Sequence, residues 1–251
     1  MDEADNPLAA FIVAACVPLD GSHASGTIER AEAILAEHPE APASSIYAAA
    51  ILGDDAGVRR FLSLDRANAT AKGGPNGWDA LTYLCFSKYL RLDPARSGGF
   101  VGAAKALFDA GATANTGFYE KNHQPEPEFE SAIYGAAGVA HHTELTRLLL
   151  EHGADPNDGE TPYHTPEGYD NGAVRVLVES GKVTQESLAT MLLRKCDWHD
   201  HEGVVWLLDH GADPNLVTRW QRTAFQQALV RDNAVEIIRR YWTTELTARQ
   251  A

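Results

Sequence analysis

The chain has 251 residues, with 21 Lys and Arg against 35 Asp and Glu, for a formal charge of −14. A hydrophobic fraction of 44% and a charged fraction of 22% are those of a folded protein and exclude wholesale disorder. So negative a field argues against a phosphate backbone or an anionic membrane as partner.

The longest apolar run, around Leu8–Leu19, is broken at Pro18 and falls short of the ~20 residues a membrane span needs. The opening Met-Asp-Glu-Ala-Asp is acidic where a secretory leader is basic, so a cytoplasmic location is expected. Cys16, Cys85 and Cys196 are scattered and odd in number. They predict buried thiols rather than disulfides or a cysteine zinc site.

Along the chain, apolar residues at i, i+3 and i+4 predict helices that come in pairs. The first pair is Leu8–Val17 with Thr27–Glu37, and the second is Ser45–Leu52 with Ala56–Leu64. After a Gly-rich turn at 73–77, Trp78–Leu90 joins Phe100–Ala110 across an inserted RLDPARSGG at 91–99. A second insertion, TGFYEKNHQPEPEFE at 116–130, precedes Ser131–Ala140, which pairs with Thr143–His152. Thr161–Ser180 is irregular, because TPEGYDNG at 165–172 stands where a helix should continue. Gln185–Cys196 pairs with Glu202–His210, and a last segment runs from Arg222 to about Trp242.

The pairs share a repeated ending. Leu148–Asn157 reads LLLEHGADPN and Trp206–Asn215 reads WLLDHGADPN, with weaker copies at Ala106–Asn115 and Leu177–Val183. Their glycines, Gly111, Gly153, Gly181 and Gly211, are 42, 28 and 30 residues apart, so the unit is about 30 residues, lengthened once. Each glycine suits a left-handed C-terminal cap, and the Asp-Pro-Asn after it reads as a turn. Upstream lie Ala-rich stretches (Ala80–Phe86, Ala132–Ala140, Leu188–Leu193, Ala224–Val230) whose small residues allow close helix packing.

This pattern resembles the ankyrin repeat family. The family's first-helix signature, T-P-L-H-x-A, is matched by Thr161-Pro162-Tyr163-His164 and Thr223-Ala224-Phe225-Gln226, and more loosely from Trp78 to Thr82. Its second-helix ending, L-L-L-x-x-G-A-D-P-N, is matched at Leu148–Asn157 and Leu207–Asn215. The resemblance implies an all-α ankyrin-repeat solenoid of about seven helix-turn-helix units, forming one domain over 1–251. It is firm over 44–242, with a degenerate first unit at 7–38 and a polar tail at 243–251. It also implies a non-catalytic protein-binding scaffold with a concave groove.

Trp78, Tyr83, Phe86, Tyr119, Tyr134, Tyr163, Trp198 and Trp220 fall near the starts of first helices or in the loops before them. In such a solenoid these positions border the groove, and exposed Trp and Tyr suit binding hot spots. All of them but Phe86, with Asp79, Lys121, His123, His164 and His199, make up the expected binding set, whose ligand would be a basic or neutral protein steered by opposite charge. A monomer is expected.

The alternative is an enzyme or small-molecule binder whose pocket is roofed by loops 116–130 and 165–172, with His164, Asp197, His199, His123 and Lys121 as catalytic candidates. Trp198-His199-Asp200-His201 looks like a metal or acid–base cluster. Counted back from the shared ending, however, His199 and Asp200 fall level with His141 and His142, a turn between helices. His152 and His210 are likewise equivalent, and His164 fills the family's signature histidine. No metal or cofactor site is predicted. Nucleophile elbow, phosphate loop and HExxH motifs are absent, so the scaffold reading leads.

Overall fold

The computed structural model describes residues 6–120, 126–233 and 239. The protein is mainly helical, and its contacts divide it into two compact units, Met1–Asp155 and Pro156–Ala251. Among the described residues no helix is long and apolar enough to cross a membrane.

In the first unit the helices are α1 (Pro7–Ala15), α2 (Glu29–Glu37), α3 (Ile46–Ile51), α4 (Asp55–Leu64), α5 (Ala80–Cys85), α6 (Lys88–Leu92), α7 (Ser97–Asp109), α8 (Ala132–Tyr134) and α9 (Thr143–Glu151). A π turn, Gly135–Val139, extends α8. Each expected pair overlaps observed helices, but Trp78–Leu90 is split into α5 and α6, and α7 begins at Ser97, inside the 91–99 insertion. The pairs pack on one another in chain order: α3 on α1 and α5, α5 on α8, α4 on α7, and α7 on α9. The core is the row of first helices, with Ala48, Ala49, Ala50, Leu81, Tyr83, Leu84, Ala136 and Ala137 fully buried between neighbours.

The insertion at 116–130 corrects the all-helical expectation. Gly117–Glu120 (β1) and Glu128–Ser131 (β2) form an antiparallel pair, in the register Gly117↔Ser131 to Glu120↔Glu128. With a period of two, Phe118 and its partner Glu130 share the inward face, while Tyr119 and Phe129 share the other.

In the second unit α10 (Glu160–His164), α11 (Gly172–Glu179), α12 (Gln185–Asp197), α13 (His201–Asp209) and α14 (Ala224–Val230) follow in order. Helix α12 packs against α10, α13 and α14. Trp242 and the tail 243–251 lie outside the described residues.

The repeated letters produce repeated geometry. Gly111, Gly153, Gly181 and Gly211 take φ of 105°, 89°, 68° and 88°, the left-handed region that glycine enters without steric cost. At three of them the next residue's N–H returns to a carbonyl five residues back: Ala112 to Leu107, Ala154 to Leu149 and Ala212 to Leu207.

A second left-handed position falls between the paired helices, at Gly53, His141 and His199, with φ of 62°, 50° and 52°. The residue after each one caps the second helix. Asp54, His142 and Asp200 accept the N–H groups of Gly57, Leu145 and Gly203. The π turn adds one residue to this scheme. His142 N–H therefore bonds to Ala136, six residues back, whereas Asp54 and Asp200 reach five back, to Ala49 and Lys195.

The asparagine that ends the repeat locks one turn to the next. Asn115 Nδ2 donates to the Gly153 carbonyl at 2.9 Å, and its Oδ1 accepts the Asp155 N–H at 2.9 Å. Asn157 makes the same pair of bonds one repeat later, to Lys182 O at 3.0 Å and Thr184 N–H at 2.9 Å. Asn157→Ala removes two such bonds and should cost about 1–3 kcal/mol in chemical denaturation, with Asn157→Asp falling between. A cost below ~0.5 kcal/mol would show that the clamp is not structural.

Candidate functional site

In the first unit the β1–β2 ribbon folds over an aromatic cluster. Phe118 stacks on Trp78 with centroids 4.3 Å apart and also meets Phe86 edge-on at 4.9 Å. Phe86 in turn contacts Tyr134 at 5.9 Å. His23, from the loop after α1, inserts into this cluster. Its Nδ1 is 3.1 Å from the Tyr134 hydroxyl, and its ring nitrogens are 3.8 Å from Glu120 and from Glu130.

Trp78, Tyr83 and Tyr134, expected along a groove border, are thus interior, at 5%, 0% and 4% exposure. The Tyr83 hydroxyl donates to Gly73 O and accepts the Asn76 N–H, which pins the Gly-rich turn. Asp79 is also buried. It caps α5 through the Thr82 N–H and accepts the Thr116 hydroxyl. Tyr119 lies on the opposite face of β1, packs on Phe129 at 5.1 Å and is 65% exposed. Lys121 and His123 lie outside the described residues.

In the second unit, two of the acid–base candidates belong to one ionic network. His164 sits between Glu160 at 3.2 Å and Glu167 at 3.0 Å. Glu167 also receives Arg194 at 2.7 Å. Arg194 then pairs with Asp197, which accepts from Gln227 and Arg231 as well. Burial alone would lower the His164 pKa, but hydrogen bonds and charge from Glu160 and Glu167 hold it at about 9. His164 is therefore an imidazolium at neutral pH, with both nitrogens committed, and cannot serve as a base there. His199 stands apart, exposed at the turn between α12 and α13.

The His164 shift has a pH consequence. Its folded pKa is above the unfolded value, so its stabilisation is complete below about 6.5 and is lost as pH rises through about 9. Denaturation midpoints should fall between pH 7 and 9.5, and His164→Gln should flatten that fall. A slope unchanged in the variant would contradict the imidazolium assignment.

Tyr163 and Trp220 belong to a ladder. The Arg194 guanidinium lies 4.0 Å over Tyr163, Tyr163 lies 4.7 Å from Trp220, and Arg219 lies 4.5 Å over Trp220. Both rings are half-buried, and internal cations occupy them, a structural use of the cation–π attraction. Trp198, at the end of α12, remains 39% exposed.

Two clefts lie among the turns that carry Asn115 and Asn157. One, of about 270 Å³, is bordered by Lys72, Asp79, Thr113, Asn115 and Phe129. The other, of about 310 Å³, is bordered by Asp158, Thr184, Glu186, Arg219 and Trp220. Among the described residues no group of three or more His, Cys, Asp and Glu side chains is placed to hold a metal ion.

Sequence reasoning missed His23, Glu120 and Glu130, which belong to no repeat position, and Lys195, a fully buried lysine in the second unit. The chain matches no protein-family model, and no curated protein matches it significantly.

Proposed function

We propose that the paired helices are ankyrin-type repeats, and that the protein is a non-catalytic scaffold that captures a basic or neutral protein segment. The observation that carries this reading is the recurrence of one turn in one register. Four left-handed glycines recur, and the asparagine after two of them hooks the following turn. Such an array spends its conserved geometry on stacking and leaves its turn-side clefts and inserted loops for recognition.

The clefts carry mixed charge, Lys72 with Asp79 in one and Arg219 with Asp158 and Glu186 in the other, so it is the overall charge of −14 that favours basic or neutral polypeptide. His164 and Asp197, spent on an ionic network, weaken the catalytic alternative. Buried thiols at Cys16, Cys85 and Cys196 suit a reducing, cytoplasmic setting, and a monomer is the proposed working form.

An affinity capture from native lysate, at low and moderate salt, tests the reading. A basic or neutral protein should be retained, a basic one less well as salt rises. Tyr119→Ala with Trp198→Ala should weaken that capture with little change in Tm, since both side chains are exposed. No specific capture at low salt, or capture indifferent to the double variant, would contradict it.

A further inference from the structure

A cavity of about 590 Å³ lies beside α1 in the first unit. One wall is small and apolar: Ala9, Ala10, Val13 and Ala14. It exists because α1, PLAAFIVAA, is apolar all round. Phe11 and Ile12 are buried at 0% and 2% exposure, which leaves Val13 at 57% on the opposite side. The other wall carries two cations, Arg30 and Lys88, with Thr27 and Pro75 at the edges.

Among the described residues, no acidic side chain lines the cavity. Arg59, Arg96, Arg175, Arg194, Arg219 and Arg231 each lie against a carboxylate. Among the described residues, Arg30 and Lys88 have none within ion-pair distance.

Lys88 is held in place by one bond, from Nζ to the Ala14 carbonyl at 2.9 Å, and partial burial lowers its pKa. Arg91 donates to the carbonyls of Ser25 and Gly26, fixing the loop at the cavity's edge, and adds a third positive charge nearby. The Thr27 hydroxyl is turned toward Glu29 at 3.4 Å. A partly desolvated ammonium without a counterion, facing an alanine-rich wall in a space of ligand size, is the arrangement an anion with an apolar body completes.

We propose that this cavity binds a small amphipathic carboxylate, its head group on Lys88 and Arg30 and its apolar body along α1. The site is separate from the turn-side clefts, so it does not depend on the scaffold reading.

Calorimetric titration of the full chain at about 50 mM salt, with hexanoate, hexan-1-ol and hexylammonium, tests it. Hexanoate should bind saturably at one site. Hexanol should bind at least ten-fold more weakly, and hexylammonium should not bind. Lys88→Gln, which keeps a donor for Ala14, should weaken hexanoate about ten-fold, the share expected of one charged hydrogen bond. Arg30→Gln is exposed and safe for folding, and it should also weaken binding. Equal affinity for hexanoate and hexanol, no saturation by about 10 mM, or wild-type affinity in both variants would overturn the proposal.

Discussion

Lys195→Ala is expected to cost about 3–5 kcal/mol of stability, the largest effect of any single change considered for this chain. Lys195 is fully buried, and its Nζ donates to the Gly168 carbonyl at 2.9 Å and to Asp200 at 2.9 Å. Asp200 is itself buried. It accepts the Asn171 amide at 2.9 Å and the Gly203 N–H that starts α13. Burial would raise the Asp200 pKa, but its bonds to Gly203, Lys195 and Asn171 outweigh that and hold it below the usual carboxylate range.

Removing the ammonium strands this carboxylate in the interior and releases the 165–171 segment from α12. The loss is thus larger than an ion pair's net worth. Lys195→Met combined with Asp200→Asn should lose much less than the two single costs added, because Asn keeps the helix cap and no charge is left buried. Chemical denaturation of the wild type, Lys195→Ala, Lys195→Met, Asp200→Asn and the double variant measures it, and additive costs, or a loss under ~1 kcal/mol for Lys195→Ala, would show that the latch is idle.

Neighbouring glycines in α7 should respond with opposite sign. A Cβ on Gly99 would fall inside the van der Waals surface of the Gly53 carbonyl oxygen. Gly53 cannot withdraw, since it holds the left-handed turn into α4 and abuts Phe100. Gly99→Ala should therefore cost about 3 kcal/mol or force the α4–α7 packing apart. A Cβ on Gly98 meets open space, so Gly98→Ala should stabilise by about 0.5–1 kcal/mol through helix propensity alone. Equal effects at the two positions would mean that α7 does not approach the Gly53 turn as described.

What the sequence made legible was local. The glycine after LLLEH and WLLDH had to be left-handed for the turn to close, and all four such glycines are. Likewise the paired histidines at 141–142 and the His199-Asp200 pair could be assigned to one turn, because that turn is set by its neighbours in the chain. The burial of the aromatics was not legible. Trp78 and Tyr134 look like groove residues until the inserted ribbon, an element outside the repeat, folds Phe118 and Glu130 over them. His23 joins that cluster from more than a hundred residues upstream of Tyr134, a contact no periodicity encodes.

Lys195 illustrates the same limit. In LLRKC a lysine reads as the wet edge of a helix, and only the unwound stretch after His164, which offers the Gly168 carbonyl and Asn171, gives it a reason to be inside. What was legible of His164 was its letter, at the position the resemblance expects, with no role attached by contact. Its charge was not, since that depends on Glu160, Glu167 and the distant Arg194.

The most direct test of the repeat architecture is amide hydrogen exchange at Asp155 and Thr184, the two N–H groups received by the side chains of Asn115 and Asn157. Both lie in exposed turns, so the side-chain bonds of Asn115 and Asn157 should govern their protection. The repeat account predicts clear protection at both, lost at Asp155 in Asn115→Ala and at Thr184 in Asn157→Ala, each without effect on the other. Free exchange at both sites in the unaltered protein would contradict it.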